Sequence, residues 1–173
     1  MYFQNISQFN AIGDYIYIFN GVLITDLIVI ALLMGGLIQS GVLIKWYREL
    51  NLSAVIADIL ILFIGIILAR YFYPSFFKQY SLIHFIGLAV GIQIIHDILF
   101  YQLCLVIPRG KSKIIDIFKD YGKEKSFKAI LADSLMMISS VLIAAWLKGL
   151  STNINIVTLI VAVYLVPYFI YSL

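Results

Sequence analysis

The sequence predicts an all-α fold, a polytopic transmembrane helical bundle of about five spans, on three observations. Of its 173 residues, 63% are hydrophobic and only 12% charged, more apolar surface than a water-soluble domain of this size can cover. The apolar residues form five runs, each long enough to cross roughly 30 Å of hydrocarbon at about 1.5 Å per residue. The connectors between the runs share the twelve Lys and Arg unevenly, and that asymmetry sets an orientation.

Residues 1–20 come first. They place Tyr2, Ile6, Phe9, Ile12, Ile16 and Phe19 at spacings of three and four, which predicts an amphipathic helix lying in the membrane interface. The stretch lacks the basic start of a cleavable signal peptide, so the first span is expected to insert by itself. A transmembrane domain over 21–173 follows, with spans at about 21–44, 52–73, 81–107, 127–147 and 154–173. Nine of the twelve basic residues lie in the first and third connectors: Lys45 and Arg48, then Arg109, Lys111, Lys113, Lys119, Lys123, Lys125 and Lys128. Arg70, Lys78 and Lys148 lie on the other side. With five spans this puts the N-terminus outside and the C-terminus in the cytoplasm. Tyr71, Tyr73, Phe76, Phe77 and Tyr80 at one interface, and Trp46 and Tyr47 at the other, are placed as aromatic belts.

The basic connector, 108–126, has a pattern of its own. Ile114, Ile115, Phe118 and Tyr121 share a helical face, with Ser112 suited to cap the start and Gly122 the stop. Arg109, Lys111, Lys113, Lys119, Lys123 and Lys125 surround that face, as in a short amphipathic helix docking on anionic lipid. Gly110-Lys111-Ser112 resembles the end of a phosphate-binding loop. Leu105 stands where that loop needs glycine, which excludes nucleotide binding there. The net charge of +3 is too small and too localised for nucleic-acid binding.

Four of the nine acidic residues fall inside spans: Asp26, Asp58, Asp97 and Asp133. They end the similar phrases Leu-Ile-Thr-Asp, Val-Ile-Ala-Asp, Ile-Ile-His-Asp and Ile-Leu-Ala-Asp, a faint repeat. An ionisable group at hydrocarbon depth persists only with partners or water, so these are the candidate functional residues. Asp58 and Asp133 sit near expected helix starts, where the helix dipole favours negative charge; Asp97 has no such support. Asp26 falls near the outer surface. Gln93, His96 and Asp97 share one side of the third span, Asp133 and Ser140 one side of the fourth, and Asp58 shares a side with Gly65 on the second. If those faces meet, they make a polar seam of Asp58, Gln93, His96, Asp97, Asp133 and Ser140. Crowded carboxylates beside an imidazole can pass protons or hold a cation; the same groups can instead glue helices together by hydrogen bonds. Gly87-x-x-x-Gly91 and Gly36-x-x-x-Ser40 are motifs for close helix approach, and His84, near the outer surface, shares the side of Gly87 and Gly91. No nucleophile-and-base set stands out, Cys104 is the only cysteine, and neither an enzyme, a cofactor nor a metal site is expected.

His96-Asp97-Ile98-Leu99-Phe100-Tyr101, Pro108-x-Gly110-Lys111, Ile115-Asp116-x-Phe118-Lys119-x-Tyr121, Ala132-Asp133-Ser134-Leu135-Met136-Met137 and Tyr164-Leu165-Val166-Pro167-Tyr168 together resemble uncharacterised multi-pass membrane proteins of large nucleocytoplasmic DNA viruses. The resemblance covers about the last half of the chain. It implies a viral membrane component, in the virion's internal membrane or a host membrane, with capsid proteins as possible partners, and it carries no catalytic residue. Two functions are therefore expected to compete: a proton or cation pathway through the acids, and a structural membrane protein whose basic connector docks on lipid or capsid. Self-association is expected, because five slender helices bury little alone.

Overall fold

The computed structural model describes residues 3–173, the side chains of 121–128 excepted. Among the described residues the regular structure is six helices: α1 (Asp14–Met34), α2 (Gly41–Leu50), α3 (Leu52–Phe76), α4 (Leu82–Val106), α5 (Lys113–Leu147) and α6 (Thr152–Ile170). Five segments have the length and composition to cross a membrane: α1, α3, α4, the Ala129–Leu147 part of α5, and α6. The molecule is a helical membrane bundle.

Helix α1 packs on α5, α5 on α4, α4 on α3, and α3 back on α1, closing a four-helix ring; α6 packs chiefly on α1. The tightest contact lies between α1 and α5. A Cβ on Gly21 would stand 2.7 Å from the Ser140 carbonyl oxygen and 2.8 Å from the Ala144 nitrogen, so only glycine lets the two backbones approach this closely. Gly65 on α3 plays a softer version of the same part, its Cβ position 2.8 Å from Met137 Cε of α5. Asn20 and Asn155 tie α6 in. The Asn20 amide donates to the Asn155 carbonyl at 2.8 Å, and the Asn155 amide donates to the carbonyls of Leu147 and Ser151 at 2.9 and 3.0 Å.

Four expectations are corrected. Residues 4–13 are not a helix; they run as an irregular strap over one end of the bundle, with Ile6 buried, and helix starts at Asp14. The strap's backbone is held by tertiary partners, beginning with Gln4 N–H donating to the Ala145 carbonyl at 2.9 Å. The apolar run 21–44 does not cross as one helix. It breaks at Gly35-Gly36, where Gly36 takes φ +72°, and restarts as α2, capped by the Ser40 hydroxyl accepting from Leu43 N–H at 3.3 Å. The connector 108–126 is not a separate helix either: Ser112 caps it as its spacing predicts, but the helix runs on through Gly122 as the foot of α5. Finally, neither small-residue motif joins helices within the chain. Gly36 and Ser40 belong to a turn and a cap, and positions beside Gly87 and Gly91 are open.

At the far end from the strap, Asn51 turns α2 into α3 with φ +49°, a positive value that Asn adopts more readily than most side chains. The Arg48 Nε–H donates to the Leu173 carbonyl at 2.9 Å, so the strap and the C-terminus lie at opposite ends. Gly21→Ala is expected to destabilise the bundle by about 1–3 kcal/mol through overpacking, whereas Gly91→Ala should stay within about 0.5 kcal/mol. Unfolding of both variants in the same micelles checks the pair.

Candidate functional site

Each helix of the ring carries one mid-span carboxylate: Asp26 from α1, fully buried, and the half-buried Asp58 from α3, Asp97 from α4 and Asp133 from α5. Tyr47 Oη donates to Asp26 Oδ1 at 2.9 Å, and Trp46 Nε1 donates to Asp58 Oδ2 at 3.0 Å. Both donors come from α2, whose Trp46 and Tyr47 are buried against the ring. Burial, reinforced by the negative charge of Asp58 and Asp26, pushes the Tyr47 phenol well above its ordinary value, so it remains a proton donor. Gln93 Nε2 donates to Asp97 Oδ1 at 2.8 Å, with His96 Nδ1 at 3.3 Å from the same oxygen and its ring stacked on Phe100. Asp133 accepts no hydrogen bond from a described residue; it feels the charges of Asp97, Asp58 and His96. The second oxygens of Asp26 and Asp97 are likewise without a donor among the described residues.

Two cavities meet at Asp133 and Phe118. The larger, about 630 Å³, lies between α1, α2, α3 and α5 and has Trp46, Tyr47, Asp58 and Asp133 in an otherwise mostly apolar wall. The smaller, about 390 Å³, lies between α4 and α5 and reaches Asp97. A carboxyl shared by two cavities is placed to exchange protons or a cation between them.

Of the sequence-derived seam, Asp58, Gln93, His96, Asp97 and Asp133 are brought together; Ser140 is not. Its backbone packs on Gly21, and its buried hydroxyl has no partner among the described residues. Asp26 was expected apart from the others and instead joins them, because α1 begins at Asp14 and carries Asp26 into mid-helix. Asp133 gains nothing from a helix start, since α5 begins at Lys113, twenty residues earlier. Among the described residues no three His, Cys, Asp or Glu side chains form a metal-holding group.

A second polar cluster was not read from the sequence. At the strap end, Asp14 of α1 meets Lys148 at 2.7 Å and Arg70 Nη2 of α3 at 3.5 Å, with Arg70 fully buried. Arg70 also donates to the strap carbonyls of Gln8 and Ala11 and lies over the Tyr15 ring, 4.6 Å from its centroid. Lys148 donates to the Asn5 carbonyl at 2.6 Å. Two cations thus hold the strap's backbone while sharing one carboxylate, Asp14.

Among the described residues, three of the four cations on the basic face have partners within the chain. Arg109 pairs with Asp120 at 2.6 Å, Lys113 with Glu49 at 3.4 Å, and Lys119 donates to the Ile107 carbonyl. The Arg109 hydrogen bond holds the exposed Asp120 carboxyl below the usual carboxylate range. Lys111 is exposed and makes no ion pair with a described residue; the Lys123 and Lys125 side chains lie outside the described residues. His84 stands apart, exposed and stacked on Phe77 with centroids 4.7 Å apart.

No family model, curated protein or solved structure matches the chain.

Removing one partner of a buried ion pair leaves an uncompensated charge. Asp14→Ala is therefore expected to cost about 3–5 kcal/mol, against about 0–1 kcal/mol for Glu49→Ala on the exposed face. Equilibrium unfolding in micelles measures both.

Proposed function

We propose that the protein is a small integral membrane protein that forms a proton or cation pathway through its acid seam, Asp97, His96, Asp58 and Asp133, with Asp26 as a fourth carboxylate. The observation that carries this reading is the convergence of one carboxylate from each ring helix, with His96 the only basic side chain beside them among the described residues. Acids kept only as glue would be expected to finish their hydrogen bonds; among the described residues one buried oxygen each of Asp26 and Asp97 has no donor. The cavities on either side of Asp133 support passage rather than storage. The charge asymmetry supports an orientation with the strap outside and α2 with the foot of α5 in the cytoplasm. The open Gly87 and Gly91 positions on α4 are where a second copy would pack.

The competing reading is a non-catalytic structural membrane protein of a large DNA virus, in a virion or host membrane. Its favouring observation is that Tyr47, Trp46 and Gln93 do satisfy part of the acid cluster, as helix glue requires. Its weakness is the docking face, where Arg109, Lys113 and Lys119 are already engaged within the chain.

Liposome flux separates the two. Purified wild type is expected to carry protons or monovalent cations, and Asp97→Asn to lower that flux at least tenfold while the fold is retained. Folded wild type with no flux over a range of pH and voltage, or flux unchanged by Asp97→Asn, would return the acids to a structural role.

A further inference from the structure

The larger cavity has a composition that a proton or small-cation path does not need. Its volume, about 630 Å³, falls among small-molecule pockets, which run from about 300 to 1,000 Å³ and combine apolar walls with a few convergent polar groups. The apolar wall comes from residues such as Val29, Leu32, Leu43, Met136 and Ile143 on α1, α2 and α5. Two carboxylates, Asp58 and Asp133, enter that wall together with the rings of Trp46, Tyr47 and Phe118. Among the described residues lining it there is no Lys, Arg or His. His96, on α4, is engaged with Asp97 and is not part of the lining.

A neutral lipid tail would fill the same space, but it gives two carboxylates in low dielectric nothing to interact with. A small hydrated ion would leave the apolar wall unused. What suits both halves is a cation with an apolar body. One carboxylate of the pair balances its charge while the other carboxyl offers hydrogen bonding, and the indole, phenol and phenyl rings offer faces on which a poorly hydrated cation is favoured. We propose that this cavity binds a lipophilic organic monocation, seated between Asp58 and Asp133 with its apolar groups against α1, α2 and α5. The inference deepens the cation-pathway reading by naming the substrate class of the same acids. Trp46 is its reporter, because it lines the cavity and bonds Asp58 directly.

The test uses the full chain in nanodiscs with tetraphenylphosphonium as the probe and triphenylphosphine oxide as its neutral counterpart. Trp146, half-exposed on α5, is the other of the two tryptophans, so Trp146→Phe leaves Trp46 as the sole indole. Tetraphenylphosphonium is expected to change Trp46 emission saturably, beyond what empty nanodiscs account for. Asp58→Asn and Asp133→Asn should each weaken binding at least tenfold. Asp133→Glu should restore most of it, and Glu49→Gln, which removes an exposed acid, should change it less than threefold. Equal binding of the neutral compound, indifference to both Asn variants, or no saturable signal from folded protein would overturn the proposal. Flux without tetraphenylphosphonium binding would sink this inference alone. Binding without flux would sink the pathway and leave the pocket.

Discussion

Carboxylates removed from water govern how this bundle is built. At the strap end one acid, Asp14, is matched by two cations, Arg70 and Lys148, and the excess positive charge is spent on backbone carbonyls of residues 5–11. In the interior the ratio is reversed: among the described residues Asp97 and Asp133 have His96 beside them, and Asp58 neighbours both Asp133 and Asp26. The first arrangement closes an end of the bundle. The second leaves one oxygen each of Asp26 and Asp97 without a donor among the described residues, the acceptor capacity on which the proposed pathway rests.

Packing makes the convergence possible. Gly21 brings α1 against the α5 backbone, and Gly65 admits Met137 between α3 and α5. These two contacts set how closely α1 and α3 approach α5. Helix α2 then works as a plug of defined chemistry. Its Trp46 and Tyr47 reach in to bond Asp58 and Asp26, while its outward Lys45 and Glu49 join the exposed ion-pair network with Asp120 and Lys113. Those exposed pairs contribute little individually, so the position of α2 depends on its buried aromatic residues.

The helical class and the number of spans were legible because length and hydropathy are local properties. Helical spacing assigned Asp58, Gln93, His96, Asp97 and Asp133 to particular sides of their helices, but that those sides meet was not legible, because helix order around a bundle is a tertiary property. What was missed depended on contacts distant in sequence. The strap looked like an amphipathic helix because its spacing fits one, yet the groups that hold it, Arg70 and Lys148, lie far along the chain. Asp26 was misplaced by a helix start set at 21 rather than at Asp14. The break before α2 did have a local signal, the Gly35-Gly36 pair followed by Ser40, hidden inside a continuous apolar run. Gly21 carried no motif at all; its role exists only because α5 lies beside it.

A shared site requires the four carboxylates to form one interacting group rather than four separate features. A double-mutant cycle on stability tests that most directly, with Asp58→Asn and Asp133→Asn made singly and together and unfolding followed in the same micelles. Groups in one network are expected to couple by about 0.5–3 kcal/mol, so the double variant should depart from the sum of the singles by that much. Additivity within about 0.3–0.5 kcal/mol would mean that the acids do not sense one another, and the shared site would be wrong.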